Sequence, residues 1–464
     1  MDRRIKLAAG LLLAAYFCYF ARPALTSGFN VDDPMNLYTY YQMSWWELAR
    51  GLVTFDAAVY RPMGGVLYKA VYDRFGYDPY PLHVALAAIL LANVFLARRV
   101  GELAAGTGAG LLCALATAYH PRLPHLLYLP AYLYDVLCFS LYFAALAVYI
   151  AGRERDGRIG WRRAAAVLAL QAAALQSKEM AATLPAALLL YEALWRGRGK
   201  RQWRPALLVL ALTAVFLFAK SRGPEALSNL PEYRPVLNVG HVMGEQARYL
   251  NELFFVRYER PFFTPWRTAA LWAALLALAA AMRRPRLAWA VALAAAAPMP
   301  VAVLSGRGGA CLYIPLAFWA LAAAMLAAEA SAALARAAAP ERRRPLVAAA
   351  LLVVLAVVYG RMVVRRNRET PAAMAQPTLL GWHIASEVRR VLPRPRPRSQ
   401  VLYLTDVSDV HDTLFISELL WGDRSVHVRL QHASRLPPEE IAKMDYLLEF
   451  DSSQRLRLVR GPNR

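Results

Sequence analysis

Long stretches of apolar residues, the longer ones about 18–22 residues, recur along this chain and are separated by short basic segments. A run of that length carries enough backbone to cross the hydrocarbon core of a bilayer as a helix. Eleven spans are predicted: 5–25, 81–97, 104–119, 131–150, 164–176, 180–195, 205–219, 265–282, 287–304, 312–328 and 346–364. The first is too long for a signal peptide and has no small-residue cleavage site, so it reads as a retained helix. From about Thr370 the pattern changes. An Arg/Pro linker, 393–399, leads to strand-like 401–405, helix-like 411–421, strand-like 426–430, a helix opened by Pro437-Pro438-Glu439-Glu440, and a hairpin of 446–450 with 456–459. The fold class is therefore an all-α polytopic membrane bundle, residues 1–369, followed by a small α/β domain, 370–464.

Composition agrees with this reading: 58% of the 464 residues are hydrophobic. The formal net charge of +22 would suggest nucleic acid in a soluble protein. Here the Lys and Arg cluster in every second loop, at 3–6, 153–163, 196–201 and 342–344, as orientation by positive residues requires. The amino terminus is placed in the cytoplasm and the carboxy-terminal domain outside, although Arg361, Arg365, Arg366 and Arg368 after the last span break the pattern. The four cysteines have neither disulfide nor zinc spacing, and no metal site is expected.

With this orientation the outward segments are 26–80, 120–130, 223–264 and 305–311, with a turn at 177–179. The first loop is expected to hold one interfacial helix over 35–52, carrying Trp45-Trp46, and a second from Pro62 to Gly76. The tyrosines 128, 132 and 134 read as an interface belt. Ionisable residues gather at the outer membrane junctions: Asp32, Asp33, Arg61 and His83, then His120, His125 and Asp135, then Lys178 and Glu179, then Arg307 with Tyr313. Charged groups at such depths are costly and mark functional sites. Carboxylates beside cations suit a phosphate-bearing substrate and a hydroxyl that must lose a proton.

The order of these residues resembles a known superfamily. Asp32-Asp33, Tyr60-Arg61-Pro62-Met63, Phe75-Gly76, His83, His120-Pro121, Asp135, Gln176-Ser177-Lys178-Glu179-Met180, Leu184-Pro185, Tyr191-Glu192 and Arg307 before Leu312-Tyr313-Ile314-Pro315 form a series over residues 5–330. It is similar to that of GT-C glycosyltransferases, in the branch of protein O-mannosyltransferases and their bacterial relatives. Leu133-Tyr134 stand where relatives carry Gly-Arg before the span-four aspartate. The resemblance implies an inverting transferase of a bacterial-type inner membrane, using a polyprenyl-phosphate sugar such as a hexose, and no metal. A protein, lipid or glycan would be the acceptor. It further implies that an aspartate of the first loop, Asp32 or Asp33 with the first favoured, is the catalytic base. Arg61, Lys178, Arg307 and His120 would face the donor phosphate, and Glu179, Asp135, His83 and Tyr313 would complete the pocket. A transporter of lipid-linked glycans is the alternative.

Overall fold

The computed structural model describes residues 3–30, 32–55, 59–196, 200–222, 229, 233–256, 259–407 and 411–462. Residues 197–199 of the expected basic loop, and 223–232 of the expected outer segment apart from 229, lie outside the described residues.

The membrane part begins with α1 (Arg3–Ala21), α2 (Asp32–Gln42), α3 (Trp45–Thr54), α4 (Pro62–Phe75), α5 (Pro79–Ala105) and α6 (Thr107–Ala118). It continues with α7 (His125–Tyr128), α8 (Leu133–Asp156), α9 (Trp161–Ser177), α10 (Leu184–Leu190), α11 (Trp203–Lys220) and α12 (Val239–Leu253). Then come α13 (Pro265–Ala281), α14 (Pro285–Ala296), α15 (Met299–Ala302), α16 (Tyr313–Ala338) and α17 (Arg344–Arg366). Among the described residues seven helices are long and apolar enough to cross a membrane, and Thr107–Ala118 and Pro265–Ala281 are shorter apolar helices. This is an integral membrane protein with a polytopic helical fold.

The stretch expected as spans five and six takes a different form. Lys178 is extended (φ −162°, ψ 147°), so α9 stops there and a 3₁₀ turn over Glu179–Thr183 leads into α10. Pro185, in the first turn of α10, brings no amide donor to a position where none is needed. The helix then ends in a π-turn over Tyr191–Trp195. The broken backbone places the Lys178 and Glu179 side chains at a bend, where each meets a partner from another element.

The first loop differs from the expected single interfacial helix. It breaks at Ser44, whose hydroxyl accepts from the Glu47 amide while the Glu47 carboxylate accepts from the Ser44 amide. This capping box satisfies two end donors and starts α3 afresh. Trp46 remains 76% exposed, Trp45 47%. The second loop helix follows expectation, from Pro62 to its stop at Gly76, a residue at φ 65°.

Beyond α18 (Thr370–Ala375) and α19 (Thr378–Val391) lies a four-stranded sheet: β1 (Gln400–Thr405), β2 (His427–Leu430), β3 (Tyr446–Phe450) and β4 (Leu456–Arg460), ordered β2-β1-β3-β4. β1 is parallel to both β2 and β3, and β4 closes the edge antiparallel. A crossover helix, α20 (Asp412–Trp421), joins β1 to β2, as a parallel pair demands. The sheet's buried side chains, among them Val401, Tyr403 and Leu448, form an apolar core distinct from that of the bundle.

The α20 side rests on the first loop. Gln42 donates to Glu418 Oε2 at 3.1 Å, and the Tyr72 hydroxyl donates to the Leu419 carbonyl at 2.7 Å. The rings of Tyr38 and Phe415 lie 4.9 Å apart, and the Arg424 guanidinium stands over Tyr41. Helix α20 of the carboxy-terminal part therefore covers α2 and α4, the helices that carry the first-loop candidates.

Candidate active site

Asp32 and Asp33 adjoin in sequence but occupy different environments. Asp33 is completely buried, with Oδ2 accepting from the Asn30 amide at 2.8 Å and Oδ1 from the Ala131 amide at 2.5 Å. It fastens the start of α2 to the segment entering α8. Burial pushes its carboxyl up to about 7, against the pull of the Asn30 and Ala131 amides. Asp32 is exposed, and its backbone carbonyl accepts from the Asn36 side-chain amide at 2.8 Å. An aspartate in the first turn is also favoured by the helix dipole.

Arg61 takes a left-handed backbone (φ 41°, ψ 62°) just before Pro62. That conformation is rare for a residue with a Cβ and needs outside support. Tyr40 supplies some of it, because its hydroxyl donates to the Tyr60 carbonyl at 2.5 Å. Tyr134 donates onward to Asn36 Oδ1 at 2.8 Å and lies 3.1 Å from the Tyr40 hydroxyl. Tyr68 donates to the Pro130 carbonyl. Tyr134, expected in an interface belt, is in fact a 2%-exposed strut under the site. The guanidinium of Arg61 lies 4.5 Å from the centre of the Tyr60 ring and 5.3 Å from that of Tyr134.

Two ion pairs converge at the α9 bend. Arg61 Nη2 meets Glu179 Oε2 at 2.9 Å, and Lys178 Nζ meets Asp135 Oδ2 at 2.6 Å. Burial works against the charge of both cations. The Glu179 carboxylate nonetheless holds the Arg61 proton on well above the usual range, and Asp135 does the same for Lys178. Burial likewise works against the Glu179 carboxylate, yet Arg61 keeps it below its usual range. Both cations stay charged. Each has donors beyond its partner, since an ammonium carries three and a guanidinium five, and Arg61 Nε is buried with no partner among the described residues.

Tyr132 follows Ala131, whose amide Asp33 holds, and precedes Asp135 by three residues, so the segment entering α8 joins the first-loop aspartates to these pairs. Arg307 stands at the rim, its guanidinium 4.2 Å from the centre of the Tyr233 ring, and Tyr233 in turn is within reach of Tyr60. Its backbone carbonyl accepts from Arg248, which is also paired with Glu245.

Three predicted residues stand apart from this group. His120 is stacked on Phe255 at 5.2 Å, with Nδ1 accepting from the Arg122 amide at 3.3 Å. Burial drops its imidazole to about 4, so at neutral pH it offers no positive charge to a phosphate. His83 is buried in α5, where its ring faces the backbone of Gly28 and Leu127. Tyr313 packs its ring on Phe139 at 4.1 Å inside the bundle. Missed by the sequence reading were Tyr40, Tyr60, Asn36 and Cys311. The one signal for Asn36, Tyr60 and Cys311 was position, each lying within four residues of a charged candidate, whereas Tyr40 lies seven residues from Asp33. No group of three His, Cys, Asp or Glu arranged to hold a metal occurs among the described residues.

No protein-family model matches this sequence, and neither does any curated protein. Among solved structures, ArnT from Cupriavidus metallidurans bound to undecaprenyl phosphate matches at a TM-score of 0.54 and 16% identity, over 99% of each chain. This chain has the GT-C fold. The oligosaccharyltransferase of Archaeoglobus fulgidus, in complex with Zn and sulfate, is 12% identical over 96% of this chain and 67% of its own, at a TM-score of 0.49. In this chain the first-loop helices, the α9 bend and the start of α8 come together.

Proposed function

We propose that the protein is an inverting glycosyltransferase that moves a sugar from a polyprenyl-phosphate donor to an acceptor hydroxyl at the outer face of the membrane. The observation that carries this reading is the exposed carboxylate of Asp32 beside Asp33, which anchors the segment entering α8, with the Asp135–Lys178 and Arg61–Glu179 pairs meeting at the α9 bend. A hydroxyl is a poor nucleophile until a positioned base takes its proton. In the proposed step Asp32 accepts that proton as the acceptor oxygen bonds to the anomeric carbon. The bond from that carbon to the phosphate oxygen breaks on the opposite face, and the polyprenyl phosphate leaves with the electron pair. Arg61 and Lys178 stabilise the growing negative charge, and Arg307 guards the rim. Glu179 and Asp135 act as positioning residues that keep the two cations charged and fixed. Asp33 holds the loop that presents Asp32.

The undecaprenyl phosphate bound to the structurally similar ArnT supports a lipid-phosphate donor. The transporter alternative has less support. A second buried pair in the bundle, Arg153 with Glu192 at 2.8 Å, is held in a local network by the Tyr149 hydroxyl and the Gln202 amide. Sugar and acceptor are open, with protein, glycolipid and envelope glycan all compatible. The test is purified protein in proteoliposomes with defined polyprenyl-phosphate hexoses and candidate acceptors. Asp32→Asn should cut transfer by about 10²–10⁴ while donor binding persists; transfer at the parent rate would remove Asp32 as base.

A further inference from the structure

A second feature lies away from this site. Between α1, α6 and α17 runs an open apolar groove of about 1490 Å³, walled by residues such as Leu12, Leu112 and Leu352. At one end it is lined by Arg361, Arg365, Arg366 and Arg368. The Tyr16 hydroxyl, in the same wall, is buried and has no hydrogen-bond partner among the described residues. The four arginines are exposed, and none forms an ion pair among the described residues. Arg366 only stands over the Phe255 ring, at 4.7 Å.

Two physical facts make this groove more than a gap in packing. The window that qualifies α17 as a span is only 6% buried, so most of its surface is left for lipid to cover. In addition, α17 is basic at both ends. Arg342-Arg343-Arg344 at its start suffice to orient it. The second set lies at the end where Tyr119 donates to Asn367, which is the end of α6 that leads to His120. Orientation does not require arginines there, and basic groups at a helix-lined groove recognise anionic headgroups.

We propose that this groove holds one anionic phospholipid, its chains along α1 and α17 and its phosphate among Arg361, Arg365, Arg366 and Arg368. Charge complementarity selects the occupant: a zwitterionic lipid fills the apolar part equally well but brings no net charge to the four guanidiniums. The site is separate from Asp32, Arg61 and Lys178, so its failure leaves the transferase reading intact.

The test is native mass spectrometry of the full chain released from nanodiscs of equal phosphatidylglycerol and phosphatidylcholine. One phosphatidylglycerol should be retained in preference to phosphatidylcholine. Arg365→Gln with Arg366→Gln should weaken its retention about 30-fold, the equivalent of about 1 kcal/mol for each arginine. Ala356→Trp, which fills the wall and leaves the arginines in place, should lower retention as well. Equal retention of both lipids would overturn the proposal, as would undiminished phosphatidylglycerol in the arginine variant. So would displacement by polyprenyl phosphate at concentrations below those at which phosphatidylglycerol binds, because the prenyl carrier would then be the occupant. Glycosyl transfer by the arginine variant, measured in phosphatidylcholine vesicles, should match the parent.

Discussion

Lys178→Met separates the structural from the chemical role of the α9 bend. Lys178 Nζ lies 2.6 Å from Asp135 Oδ2, with side chains only 10% and 3% exposed. Removing the ammonium strands a carboxylate in a dry site, and breaking one side of such a pair costs about 3–5 kcal/mol. If the pair were merely structural, Lys178→Met with Asp135→Leu should restore both stability and activity, since apolar replacement of both partners is near neutral or better. The proposed function requires otherwise. The double variant regains stability to within about 1 kcal/mol of the parent but still lacks the ammonium facing the donor phosphate, a charge-assisted contact of about 1.5–3 kcal/mol. Its transfer should therefore stay about 10–100-fold below the parent. Unfolding titrations in mixed micelles give the stability arm, and transfer in proteoliposomes as a function of donor concentration gives the chemical arm. Full recovery of transfer in the double variant would reduce Lys178 to a packing residue. A single Lys178→Met as stable as the parent would show that the pair is not closed in the membrane.

Asp33 should impose a pH dependence on stability opposite to that of a salt-bridged carboxylate. Its native value of about 7 lies above the ordinary 3.8, so the folded state binds the proton more tightly than the unfolded chain. The contribution is fully present below about pH 4 and is lost as pH rises through about 7; Asp33→Asn should flatten that slope in unfolding titrations. The same change leaves one of the Asn30 and Ala131 amides without an acceptor, costing about 1–3 kcal/mol, whereas exposed Asp32→Asn should leave stability within about 0.5 kcal/mol. Gly64→Ala should cost about 1–3 kcal/mol and weaken donor binding, because an added Cβ would sit 2.4 Å from Tyr134 Cδ1 and drive that ring against Arg61. Ser44→Ala should remove about 1 kcal/mol from α3, seen as faster amide exchange over Trp45–Thr54 with transfer unchanged.

The apolar runs alone determined that this chain crosses a membrane many times, because no other arrangement satisfies so much backbone and so little polarity. The change at Thr370 likewise announced a sheet, and the alternation at 401–405, 426–430 and 446–450 placed its strands nearly to the residue. The charged candidates could be named from their rarity in apolar surroundings. Their partnerships could not. Arg61 meets Glu179 across 118 positions, and Lys178 meets Asp135 across 43. Pairings that distant depend on how α4, α8 and α9 pack, which no local pattern encodes. The two aspartates show the same limit most simply. They are adjacent and chemically identical, yet Asp33 is sealed by two backbone amides while Asp32 reaches solvent. Successive residues on a helix point about 100° apart, and only the docking of Ala131 against one of those directions decided which carboxylate was left available for chemistry.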